Sequence, residues 1–137
     1  MIFRSLLVAL VALGGAGSKR QYSRCERVTR RTLNETLHTW PVLISGTVLK
    51  VEEDKSDRRL LIATVSVKRV FAGEEYVSAK EEITLHGVGN ADICRSSLRR
   101  GDTRILALSV TGDHLFLAAP PIRVSLHILD ILHSLST

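Results

Sequence analysis

Histidines and cysteines are the residues of this sequence that could hold a metal ion or act in catalysis. No two histidines show the i, i+4 spacing around a glutamate that places two zinc ligands on one helix face, and neither cysteine has a second cysteine nearby. We therefore expect no metal site and no cofactor. The residues concerned are His38, His86, His114, His127, His133, Cys25 and Cys94.

Motifs for a catalytic nucleophile or for phosphate binding are also missing. There is no G-x-S-x-G elbow, and the Gly87-x-Gly89 pair lacks the third glycine and the apolar helix that follow in a dinucleotide-binding loop. Asp102 and His86 could form an acid–base pair, but without a nucleophile motif they are better explained as a turn aspartate and a strand-end histidine. An enzyme is not expected.

The first residues have the order of a secretory signal peptide. Arg4 is followed by the apolar run of residues 6–13 and by the small residues 14–17. This predicts a signal peptide over residues 1–17 and one mature domain over residues 18–137; the alternative is a buried N-terminal strand or helix. The apolar run is shorter than the roughly 20 residues that span a bilayer, so no membrane span is expected.

Secretion determines how the two cysteines are interpreted. An oxidising compartment favours a disulfide between Cys25 and Cys94, the only cysteines of the chain, and the alternative is two unpaired buried thiols. Asn34-Glu35-Thr36 matches the N-glycosylation acceptor pattern, which has meaning because export is predicted.

The chain is basic, with a formal net charge of +5, yet only 4% of its residues are aromatic. This is too few for the base-stacking surfaces of a single-strand binder, so nucleic acid is not an expected partner. A basic cluster near the N-terminus either binds heparan sulfate or is a solvated helix face, and its first two residues could also be a processing site. The cluster consists of Lys19, Arg20, Arg24, Arg27, Arg30 and Arg31.

Hydrophobic periodicity predicts a mainly β domain. Val28, Leu33 and Leu37 approximate helical spacing up to Trp40-Pro41, and a second helix is predicted from Pro120-Pro121 through Leu135. Alternating residues between them predict five strands, with a bend or bulge at Gly46 in the first. The predicted strands cover residues 42–51, 60–71, the segment around Ile83 and Leu85, 103–110 and 114–117.

The C-terminal helix has two apolar arcs when its residues are placed about 100° apart. One arc can pack on the barrel, and the second can seek a partner; alternatively, both are buried in the same monomer. The first arc contains Val124, Ile128, Ile131, Leu132 and Leu135, and the second contains Ile122, Leu126 and Leu129.

Five short strands between two helices match the OB-fold, a small barrel that serves many functions. Within this pattern, the stretch from Gly87 to Cys94, followed by Gly101-Asp102-Thr103-Arg104-Ile105, resembles a segment of the N-terminal domain of agrin. Residues 25–27, 42–48 and 65–73 resemble the start and the first two strands of that domain. The resemblance extends from about Cys25 to Leu135.

This resemblance implies a secreted, non-catalytic basement-membrane module that carries the Cys25–Cys94 disulfide. It also implies that apolar residues of the C-terminal helix bind the gamma chain of the laminin coiled coil. One contact of the family carries over to Leu129, but the second falls on Ser136, a departure that Leu126 or Leu132 would have to compensate. The candidate laminin-binding residues are Leu126, Leu129, Leu132 and His133.

A secreted metalloproteinase inhibitor of the tissue-inhibitor type, which shares the barrel architecture, is the alternative. Inhibitors of that type coordinate the enzyme's zinc through a cysteine at the mature N-terminus. Cleavage between Gly17 and Ser18 would leave seven residues before Cys25, and the several disulfides of that family are missing.

Overall fold

The computed structural model describes Cys25 and residues 27–136. The predicted signal peptide, together with Lys19, Arg20 and Arg24, lies outside the described residues. The described chain forms helix α1 (Arg30–Thr39), strands β1 (Val42–Glu53), β2 (Leu61–Ala72), β3 (Glu82–Val88), β4 (Thr103–Thr111), β5 (His114–Leu117) and β6 (Ile122–Arg123), and helix α2 (Leu126–Ser136).

Five of these strands close into a barrel. β1 pairs with both β2 and β4, β2 pairs with β3, and β5 lies between β3 and β4; every pairing is antiparallel except that of β3 with β5. The predicted five-stranded OB-fold barrel with an N-terminal and a C-terminal helix is confirmed. β1 reaches both neighbours because it bends, with register shifts that include one between Ser45 and Gly46, as the glycine predicted.

The sixth strand corrects the expected start of the second helix. Ile122 and Arg123 pair with Ile105 and Arg104 at the edge of β4, so the segment after the two prolines is extended. Ile122 therefore does not belong to a helical arc. α2 begins only at Leu126, where the hydroxyl of Ser125 accepts a hydrogen bond from the backbone N–H of Ile128 at 3.2 Å, the contact of an N-cap.

α1 has a clear start and end. Thr29 is its N-cap: the Thr29 hydroxyl accepts from the N–H of Thr32, and the Thr32 hydroxyl accepts from the N–H of Thr29. The helix ends at Thr39, ahead of Pro41, as predicted. Val28 lies before the cap and is exposed, so it does not contribute to the buried face of the helix.

Two apolar cores lie on opposite faces of β1 and β4. Val42, Ile44, Leu106 and Leu108 point into the barrel, while Leu43, Ile105 and Ala107 point outward beneath the two helices. Alternation along a strand places successive side chains on opposite faces, so both strands are buried on both sides. The outer core positions α2; its buried members are Leu33, Leu43, Ile105, Ala107, Ile131 and Leu132.

Candidate binding surface on the C-terminal helix

The inner face of α2 is fixed to the outer core. Ile131 and Leu132 are buried there against residues of α1, β1 and β4, and the half-buried Ile128 and Leu135 pack around them. At about 100° per residue these four side chains fall within one arc of the helix. The face opposite this arc is therefore the one that α2 presents to solvent.

Leu126 is the most exposed large apolar residue in the described part of the chain, with 81% of its surface accessible. On the helix it projects nearly opposite the buried arc, on the same side as the exposed Asp130 and His133. The alternative in which both apolar arcs are buried in the monomer is therefore wrong for Leu126.

Leu129 and Leu132 differ from Leu126 in their surroundings. Leu129 is half-buried at the boundary of the exposed face and packs partly against the outer core. Leu132 has no exposed surface at all, so it is not accessible on the open face, and its laminin contact stays a prediction. The reason is rotational: Leu132 lies about 240° from Leu126 around the helix and faces the barrel.

Ser136, the position of the second family contact, is exposed. Its hydroxyl donates to the backbone carbonyl of Leu132 at 2.8 Å, a bond within the helix. The side chain is small and polar, so it adds little apolar area. Of the four predicted contact residues, Leu126 and His133 both lie on the open face of α2, two turns apart, with Leu129 at its border.

The disulfide joins the N-terminal segment to the loop after β3. Cys25 and Cys94 are bonded, with their Cα atoms 5.5 Å apart, so the alternative of two unpaired thiols is wrong. The bridge holds the chain that precedes α1 against the body of the domain.

The described part of the basic cluster is exposed and partly paired. Arg30 donates from Nη2 to the hydroxyl of Ser134 at 3.0 Å, which joins α1 to α2, and Arg31 lies 3.5 Å from Glu35. The Arg31–Glu35 pair is highly exposed, so it stabilises the helix little. Arg27 is exposed before the helix. These contacts agree with the alternative of a solvated helix face, and the heparan sulfate prediction remains a prediction.

Asn34, the predicted glycosylation acceptor, lies on the exposed side of α1. Its backbone carbonyl contacts Nδ1 of His38 at 2.8 Å, while the Thr36 hydroxyl donates to the carbonyl of Thr32 at 2.8 Å. The asparagine side chain faces solvent, so space for a glycan exists.

Asp57 and Arg59, whose pKa values are shifted, lie far from α2, in the turn between β1 and β2. Arg59 donates from Nε and Nη2 to the carboxylate of Asp57 at 3.1 and 3.2 Å. This side-chain hydrogen bond lowers the pKa of Asp57 and raises that of Arg59. The pair stabilises the turn locally and takes no part in the α2 surface.

Metal-binding geometry is missing within the described residues, where no three histidine, cysteine, aspartate or glutamate side chains could jointly hold an ion. His86 and His114 do meet, with ring centroids 4.7 Å apart, and Phe116 lies beside them. The His86–Asp102 pair considered from the sequence is not among these contacts. No helix in the described ranges is long and apolar enough to cross a membrane.

Sequence reasoning missed an arginine pair on the sheet. Arg104 of β4 and Arg123 of β6 are directly opposite each other in the antiparallel pairing. The only signal for this pair is the register of β6, which is too short to show any periodicity of its own.

Comparison with known proteins agrees with this architecture. No curated protein matches the chain. The family model of the agrin NtA domain matches residues 34–136, which include α2, every strand described above and the part of α1 from residue 34 onward. That family is an extracellular-matrix family of non-enzymatic binding modules. Since the match covers most of the sequence, the chain belongs to the agrin NtA domain family.

Proposed function

We propose that this protein is a secreted, non-catalytic module of the basement membrane that binds the laminin coiled coil through the exposed face of α2. The observation that carries the proposal is the 81% exposure of Leu126 on a helix whose other side is fixed in a core. An exposed leucine on a rigid helix can enter the groove between two helices of a partner without reorganising its own domain.

Leu126 and Leu129 would supply the apolar part of this contact. Covering a leucine fully contributes roughly 1.5–3 kcal/mol. Leu129 is already half-buried, so it has less area to contribute than Leu126. Asp130 and His133, both exposed on the same side of α2 as Leu126, would form the polar rim that commonly surrounds the apolar centre of an interface.

The departure at Ser136 concentrates the contact at the start of the helix. A serine cannot replace the apolar area that the family has at this position, and the buried Leu132 cannot substitute for it. Leu126 is then the principal anchor, which is consistent with the expectation that a few residues carry most of the energy of an interface.

The proposal is tested by titrating the purified chain against a trimeric laminin coiled-coil fragment. We expect saturable binding, and we expect Leu126→Asp to weaken it at least about tenfold because about 1.4 kcal/mol corresponds to a factor of ten. Leu49→Asp is the matched control, since Leu49 is also an exposed leucine but lies on β1.

Two results would refute the proposal. The first is an absence of saturable binding at micromolar concentration. The second is an equal loss of affinity in the Leu126 and Leu49 variants, which would show that added negative charge, and not the α2 surface, weakens the interaction.

A further inference from the structure

We propose that a cleft beside the start of α2 is a second binding site, which takes the sulfate groups of a linear sulfated polysaccharide. The cleft is open to solvent and has a volume of about 670 Å³, which is within the usual range of ligand sites, and three arginines line it: Arg95, Arg104 and Arg123. These cations are separate from the leucines proposed to bind laminin.

The pairing of Arg104 with Arg123 is the first reason. The two residues are direct cross-strand partners on β4 and β6, so their side chains leave the same face of the sheet, and both line the cleft. Like charges directly opposite each other destabilise an antiparallel pair. An anion bound between two such guanidinium groups removes this repulsion and receives charge-assisted hydrogen bonds from both.

The third cation comes from a distant part of the chain. Arg95 follows the disulfide-bonded Cys94 and has a φ of +53°, a left-handed conformation that residues other than glycine rarely adopt. The disulfide connects this loop to the N-terminal segment, whose Val28 forms another part of the cleft wall. The β4–β6 pair, the loop after Cys94 and the N-terminal segment thus meet at one cleft.

Acidic side chains only partly balance this charge. Nη2 of Arg104 lies 3.5 Å from Oδ1 of Asp102, and the other oxygen of that carboxylate accepts from the backbone N–H of Arg99 at 2.9 Å. Within the described residues, neither Arg95 nor Arg123 forms a salt bridge. The cleft therefore keeps an excess of positive charge that a polyanion can neutralise.

The lining also suits a sugar chain. Pro121, Ile122 and Ile128 provide apolar surface for a sugar ring, and Ser97 adds a hydroxyl at the rim. The loop that carries Arg95 continues to Arg99 and Arg100, which are also exposed. A single carboxylate would neutralise only part of the charge of the three arginines that line the cleft, whereas the closely spaced sulfates of one chain can neutralise all of it.

The test measures binding of a heparin-derived hexasaccharide to the full chain and to Arg104→Gln/Arg123→Gln at physiological salt. We expect saturable binding by the unmodified protein and a loss of at least about tenfold in the double variant, because charge-assisted hydrogen bonds are lost. Arg58→Gln/Arg69→Gln removes the same charge from two exposed arginines outside the cleft. This control should lose less than about threefold.

Thermal unfolding without ligand separates a binding role from a structural one. Arg123→Gln removes the repulsion with Arg104, so its Tm should equal or exceed that of the unmodified protein while its affinity for the hexasaccharide falls. A marked decrease in Tm for this single, exposed substitution would overturn the proposal, because Arg123 would then support the fold.

Three binding results would also overturn it: no saturable binding of the hexasaccharide, an equal loss in the two double variants, or equal binding of fully desulfated heparin or a glutamate-rich peptide of similar length. Equal binding of desulfated heparin would mean that sulfate is not what the cleft recognises, and equal binding of the peptide would mean that a protein partner supplies the ligand carboxylates. The titration against the laminin coiled coil is unaffected by any of these outcomes.

Discussion

Leu126 and Leu132 lie on the same helix, yet 81% of Leu126 is exposed while Leu132 is completely buried. The difference follows from the rotation of the helix, which turns Leu132 toward the outer core formed with Leu33 and Leu43. α2 thus combines an attachment to the barrel on one face with an accessible apolar side chain on the other.

Truncation of Leu132 and of Leu126 should have very different effects on the stability of the domain. We expect Leu132→Ala to lower the free energy of unfolding by about 2–5 kcal/mol, because it leaves a cavity in the outer core. Leu126→Ala should change it by less than about 0.5 kcal/mol, as is usual for surface substitutions. Urea denaturation of both variants measures the difference, and a comparable loss in both would show that Leu126 is packed in solution.

Leu129→Asp should affect both stability and laminin binding because Leu129 lies at the boundary of the open face. Its half-burial adds a stability cost of roughly 1–3 kcal/mol for placing a carboxylate against apolar neighbours. Circular dichroism should still report a folded domain, and laminin affinity should fall.

Laminin binding by Leu129→Asp must be measured where circular dichroism shows the variant to be folded. Unchanged affinity under those conditions would remove Leu129 from the proposed contact and leave Leu126 as its apolar anchor.

The barrel was predictable because its strands alternate clearly, and the ends of β4 and β5 were placed to within a residue. The two-residue strand β6 was not predictable, because two residues cannot show a periodicity. Pro120-Pro121 indicates a helix start, but the helix begins only at Leu126. Ser125 was the available signal, because serine is a preferred N-cap. The Arg104–Arg123 pair depends on the same missed strand.

Removal of the disulfide should destabilise the domain substantially. Cys25 and Cys94 are 69 residues apart, and the chain-entropy model gives about 4 kcal/mol for closing a loop of this length. We expect Cys25→Ser/Cys94→Ser to lower the denaturant midpoint accordingly. A midpoint unchanged from that of the unmodified protein would mean that the bond does not form in solution, and mass measurement after alkylation without reductant provides the control.

The start of the secreted chain decides between the proposed function and the protease inhibitor alternative. Small residues end at Gly17, so cleavage is expected there, and N-terminal sequencing of the secreted protein should read from Ser18. In that case seven residues precede Cys25, and the cysteine lies inside the chain, where it cannot offer a terminal amine to a zinc ion. A chain that starts at Cys25 would instead restore the inhibitor interpretation, and inhibition of a metalloproteinase by the purified protein would then be the decisive measurement.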